Sequence, residues 1–143
     1  MKLTVMFRSI KNNYVREALE VAFYFFVAWL FYHGLAFALD TPMPIVSVVS
    51  NSMEPILYRG DLLLVTGVDN PAVGDIVIYE HPQARITIVH RIIGITDEGY
   101  VLKGDHNAAP DRAIVTKEQV LGKVWIAMPL LGYPRLLLYA VGV

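Results

Sequence analysis

Arg85-Ile86-Thr87-Ile88-Val89-His90-Arg91-Ile92-Ile93-Gly94-Ile95 is rich in β-branched residues and lies between turn-forming residues at His81–Gln83 and Asp97–Gly99. Successive side chains of an extended chain point to opposite faces, so the run predicts a strand with Ile86, Ile88, His90 and Ile92 on one face. Comparable runs occupy Ile45–Ser50, Asp61–Val68, Asp75–Tyr79, Tyr100–Lys103 and Val120–Met128. Turn signals at Tyr58–Gly60, Asp69–Gly74 and Asn107–Asp111 separate them. Residues 40–128 are therefore expected to form a compact, mostly antiparallel β domain, with no helical period, repeat or low-complexity tract.

Upstream, Val21 to Leu39 runs for 19 residues without a formal charge. At about 1.5 Å per residue it covers roughly 28 Å, close to the ~30 Å of bilayer hydrocarbon, and predicts a transmembrane helix over 21–39. Lys2, Arg8, Lys11 and Arg16 precede it and Asp40 follows it. The positive-inside rule then makes 1–20 a cytoplasmic segment and places 40 onward outside the cytoplasm, for a single-pass protein of the cell membrane or the endoplasmic-reticulum membrane. His33 reads as a bundle-facing or snorkelling side chain. A cleavable signal peptide is the rival, because Ala36-Phe37-Ala38 has the A-x-A form of a cleavage site. The apolar stretch exceeds the roughly 7–15 residues of a usual signal-peptide core, which favours a retained anchor, with slow self-cleavage as a further expectation. The tail, 129–143, is apolar but holds only 15 residues, with Pro134 and Arg135 in its middle. A second crossing needs about 20, so a membrane-associated segment lying at the surface, or the remnant of a longer tail, is expected.

Composition agrees with a lipid-facing part: 55% of residues are hydrophobic and 17% charged, against roughly 45–50% and about 25% in soluble domains. A net charge of −1 gives nucleic acid no basic surface to bind. The chain has no cysteine, which removes disulfides, thiolate nucleophiles and cysteine metal sites. Any nucleophile is oxygen-based.

Ser50-Asn51-Ser52-Met53-Glu54-Pro55 follows a predicted strand and presents its serines on a bend. Such a serine is more often a backbone cap. It becomes a nucleophile only when a neighbouring base takes its proton, a task suited to imidazole, whose unperturbed pKa is ~6.5. His33 lies in the apolar segment and His81 beside Pro82 in a turn, whereas His90 interrupts an apolar strand face and His106 lies in a polar loop. That loop, Lys103-Gly104-Asp105-His106-Asn107-Ala108-Ala109-Pro110-Asp111, supplies carboxylates able to hold the second imidazole N–H. Asp105, His106 and Asp111 also raise the option of a divalent cation, but their spacing matches no established pattern, and neither metal nor other cofactor is expected. Met53, Pro55, Ile56, Leu57 and Tyr58 surround Ser52 with apolar groups, suited equally to core packing or to a loop resting at the bilayer interface.

These segments, with Gly60-Asp61, Gly74-Asp75, Val89-His90-Arg91 and Gly104-Asp105-His106-Asn107 followed by Asp111, resemble the successive boxes of signal peptidase I, in family order over roughly residues 15–128. With histidine rather than lysine at the base position, the chain resembles the archaeal and endoplasmic-reticulum branch. The resemblance implies a membrane-bound serine endopeptidase that removes signal peptides from exported preproteins. It makes Ser52 the nucleophile, His90 the general base, Asp111 the acid that orients it and Asp105 a supporting acid, with the Ser52 N–H and the Ser50 hydroxyl as oxyanion hole. The implied partners are preproteins, the bilayer, and the secretion translocon or accessory subunits. A catalytically inactive, membrane-tethered β module is the alternative. His106 departs from the family pattern, where asparagine is frequent, and the tail is shorter than in relatives with a second membrane segment.

Overall fold

The computed structural model describes residues 12–141. Its first unit is helix α1, Asn13–Ala38. This starts eight residues before the apolar run, because Arg16, Glu17, Ala18, Leu19 and Glu20 are good helix formers even though they are not apolar as a group. Among the described residues α1 is the one helix long and apolar enough to cross a membrane. Its 26 residues span about 39 Å. No α1 side chain is buried, and Phe25, Phe31 and Phe37 stand largely exposed. Ala36–Ala38 form its last turn. The cytoplasmic segment expected over 1–20 lies outside the described residues as far as residue 11, and its remainder joins α1.

The second unit contains six strands: β1 Ile45–Ser47, β2 Leu62–Thr66, β3 Ile76–Glu80, β4 Thr87–Thr96, β5 Gly99–Lys103 and β6 Val120–Met128. Each falls within or against one of the six β-branched runs. They form one sheet in the order β1-β2-β6-β3-β4-β5, every pair antiparallel. The fold is thus mostly β with an N-terminal apolar helix, as the patterning predicts. Ile86 falls outside the expected strand, since β4 begins at Thr87 and Ile86 lies exposed just before it.

Strand β3 is buried on both faces. Ile78, with Ile76 beside it, packs with Val48, Met53, Leu57, Leu63 and Val65, while Val77 and Tyr79 pack with Ile92, Leu102 and Val115. Alternation thus divides one short strand between two apolar clusters. His90 on β4 is paired with Val77 on β3, which puts its imidazole on the second face, with Ile88 and Ile92 as predicted. The tail forms a short helix, α2, Tyr133–Ala140, a type of element absent from the sequence expectation. Pro134 sits in its first turn, where a missing N–H costs little. The Gly132 N–H donates to Gly60 O at 2.8 Å, and Leu136 is buried while Leu137 and Leu138 are exposed.

Candidate active site

The bend after β1 is held by its own backbone and by two apolar anchors. The Glu54 N–H donates to Asn51 O at 3.2 Å, and the N–H groups of Ile56 and Leu57 each donate to Met53 O at 3.0 Å. Met53 and Leu57 are 1% and 2% exposed, and burying each contributes ~2 kcal/mol. The apolar surroundings of Ser52 therefore divide between the two expected uses: Met53 and Leu57 are core, while Pro55, Ile56 and Tyr58 face outward. Ser52 directly precedes the buried Met53, so its backbone is fixed without its side chain being needed to fix it.

Two further elements close on that bend. From β4, His90 Nε2 lies 3.1 Å from Ser52 Oγ. From the loop after β5, the His106 N–H donates to Ser52 O at 2.9 Å. On the far side of the imidazole, Nδ1 is 2.6 Å from Asp111 Oδ2. A carboxylate oxygen only accepts. The proton therefore sits on Nδ1, leaving the Nε2 lone pair to receive the Ser52 hydroxyl hydrogen. The side chains of His90 and Asp111 are 8% and 15% exposed, which shields the contact from competing water. Ser50 Oγ lies 3.2 Å from Ser52 Oγ, and among the described residues the Ser52 N–H has no acceptor. A free N–H and a neighbouring hydroxyl are the donor types that stabilise a developing oxyanion.

Asp105, expected as a supporting acid, bonds Arg91 rather than the imidazole. Its two oxygens accept from Arg91 Nε at 2.8 Å and Nη2 at 2.7 Å, and Arg91 Nη1 donates to Gly74 O at 2.8 Å. The fork ties the loop that holds Ser52 O to β4 and to the turn before β3. The Arg91 guanidinium holds the Asp105 carboxyl below its ordinary range against the effect of burial, and Asp105 in turn raises Arg91. A carboxyl depressed in the folded state contributes stability above its unfolded pKa of ~4 and loses it as pH falls through the folded value. Asp105→Asn is expected to lower stability by about 1 kcal/mol at neutral pH. That difference should close progressively below pH ~4. Melting curves of the two proteins across pH check it, and a constant difference down to acid pH would refute it.

Two contributors escaped the sequence reading. Tyr79 Oη donates to Asp111 Oδ2 at 2.8 Å; burial first, then Asp111, pushes its phenol far above the ordinary range, so it stays a donor. Gly104 brings the loop so close that a Cβ there would lie 2.6 Å from Ser52 O, 2.7 Å from Asn107 Nδ2 and 2.9 Å from His90 Nε2. In the sequence Tyr79 stands only as the last residue of the Asp75–Tyr79 run, and Gly104 only as the first residue of a loop box, with no role for either. The remaining candidate for a cation, His106, is exposed, and Asp105 and Asp111 point to different partners.

The family model described as Peptidase S24-like matches residues 22–125. The signal peptidase complex catalytic subunit SEC11 of Pyricularia oryzae is 37% identical over 136 residues, covering 85% of this chain and 79% of that protein. SEC11 of Metarhizium acridum is 39% identical over 125 residues, covering 78% and 73%. SEC11 of Saccharomyces cerevisiae is 36% identical over 133 residues, covering 83% and 80%.

Proposed function

The chain belongs to the S24-like peptidases and, among them, to the endoplasmic-reticulum type of the signal peptidase I family, and from that premise we propose that it is a membrane-anchored serine endopeptidase that removes signal peptides from exported preproteins. One chain of contacts carries this reading: Ser52 Oγ to His90 Nε2 at 3.1 Å and His90 Nδ1 to Asp111 Oδ2 at 2.6 Å. Ser52 Oγ attacks the scissile carbonyl as its proton passes to Nε2, and Asp111 holds the imidazolium that results. The Ser52 N–H and the Ser50 hydroxyl receive the oxyanion, each worth about 3 kcal/mol to the transition state. Collapse breaks the C–N bond, His90 returns the proton to the leaving amine, and the same imidazole then activates the water that releases the acyl group.

Helix α1 is the anchor in this reading, with the N-terminus cytoplasmic and the β domain over 40–128 outside the cytoplasm, in the cell membrane or that of the endoplasmic reticulum. The tail over 129–143 adds a second membrane contact: Leu130, Leu131, Leu137 and Leu138 are exposed, as are Ile56 and Tyr58 on the turn to which Gly132 is bonded. Exposed apolar groups on this turn and on the tail bonded to it fit a bilayer surface, where a signal peptide's scissile bond emerges. The substrate docks as an extended strand, and small pockets select the A-x-A-like residues before the cut. Accessory subunits and the translocon are the expected protein partners.

Incubating the purified chain in detergent with a signal-peptide-bearing precursor is expected to give one cut, after a small residue, located by mass spectrometry. A precursor left intact by a chain whose circular dichroism shows a folded β domain would overturn the assignment in favour of a tethered binding module.

A further inference from the structure

Tyr79 is a buried titratable side chain at the site that plays no part in the proton path. It is 1% exposed on β3, in the middle of a sheet that pairs it with Ile88 on β4 and Val120 on β6. Its position is therefore set by backbone on both sides. Asp111 is placed differently. It comes from the irregular segment after β5, where its own N–H is bonded to Leu102 O at 2.8 Å, which leaves the side-chain torsions free. The Tyr79 hydroxyl and His90 Nδ1 both reach the same atom, Asp111 Oδ2, at 2.8 and 2.6 Å.

We propose that Tyr79 is a positioning residue, whose hydroxyl fixes Asp111 Oδ2 in line with His90 Nδ1 and, as a second donor to that oxygen, sets how strongly it attracts the imidazole proton. The proposal rests on the Ser52, His90 and Asp111 reading above. A hydrogen bond to a charged group is roughly twice as strong as one between neutral groups, enough to select one side-chain rotamer of a carboxylate carried on a loop. Two donors on one oxygen also share its charge, so each bond is weaker than it would be alone. The other groups facing this contact do not duplicate the role. Ser52 meets the opposite ring nitrogen, and Asp105 is occupied by Arg91.

Tyr79→Phe keeps the ring in the core and removes only the donor. With the full chain in detergent and a precursor substrate, kcat is expected to fall about tenfold, because an Asp111 free to leave the line of Nδ1 holds the imidazole less well aligned, with KM unchanged. With its charge no longer shared, Asp111 stabilises the imidazolium more, so the acid limb of kcat/KM moves to higher pH. Placing 3-fluorotyrosine at position 79 keeps the fold and strengthens the donor, and the same limb should move to lower pH. In a chain labelled with nitrogen-15 histidine, the Nδ1 proton resonance of His90 should shift in opposite directions in the two proteins. A lower melting temperature with unchanged kcat, limb and resonance would overturn the proposal, leaving Tyr79 a core residue alone. If Tyr79→Phe does not fold, the fluorotyrosine protein decides: an unmoved limb and resonance overturn it. Asp111→Asn separates the two levels, since full turnover in that variant would sink the underlying reading, whereas its inactivity beside an unaffected Tyr79→Phe would sink only the role of Tyr79.

Discussion

Ser52→Ala is expected to reduce precursor cleavage by about 10⁶-fold in kcat, to the background of any practical assay. Among the described residues Ser52 Oγ hydrogen-bonds only to the His90 ring and the Ser50 hydroxyl, while Met53 and Leu57 hold the bend in the core. Losing the hydroxyl therefore costs about 1 kcal/mol of stability, and the protein remains folded. His90→Ala should be as inactive, and the double variant no worse than either single one, because nucleophile and base act as one unit. Additive losses would mean that the two side chains work independently. His90→Lys is expected to fail as well. A lysine serves as a base only where its charged form is disfavoured, and here an amine would face Asp111, which favours the ammonium. Retained turnover in Ser52→Ala or His90→Ala would end this mechanism.

The strands were legible because β-branched runs and turn residues alternate along the chain, and the two signals agree at all six. Their order was not. Nothing local to Val120–Met128 shows that β6 enters between β2 and β3, since that choice depends on which faces cover one another. Hydropathy found the apolar part of α1 but not its first two turns, where Arg16, Glu17 and Glu20 favour a helix while opposing a membrane. Helix α2 was hidden for a related reason: eight residues are too few to display a period, and Pro134 reads as a breaker until it is seen in the first turn.

At the candidate site, the serine and histidine were visible in the sequence and their supports were not. Ser52 and His90 stand out as polar groups on a bend and on an apolar strand face, whereas Asp111 is singled out from Asp105 only by the family resemblance; the structure brings all three within hydrogen-bond distance. Asp105 sits in the same loop as Asp111, but sequence proximity could not tell which cation or imidazole each would meet. Arg91, one residue from His90 and on the opposite face of β4, takes Asp105 away from the ring. The supports are ordinary-looking residues, a strand tyrosine and a loop glycine, whose meaning appears only at contact distance.

Gly104→Ala makes that last point measurable. The residue is buried, and its missing side chain is what lets the loop approach Ser52. An added methyl would lie 2.6 Å from Ser52 O and 2.9 Å from His90 Nε2, well inside van der Waals contact. Of these neighbours the carbonyl can least give way, because the His106 N–H holds it from the same loop and the buried Met53 follows it in the chain. The strain is therefore relieved by moving the loop outward or by turning the imidazole, and either change lengthens the 3.1 Å contact between His90 Nε2 and Ser52 Oγ. A displacement of about 1 Å at a reacting pair costs on the order of 10²-fold in rate. Overpacking of this kind lowers stability by about 1–3 kcal/mol, which leaves the domain folded at moderate temperature. The expected result is thus a folded protein with cleavage reduced about a hundredfold, the loss falling on kcat rather than KM. Wild-type turnover in Gly104→Ala would mean that the loop does not set the distance between nucleophile and base, and that some other contact aligns them.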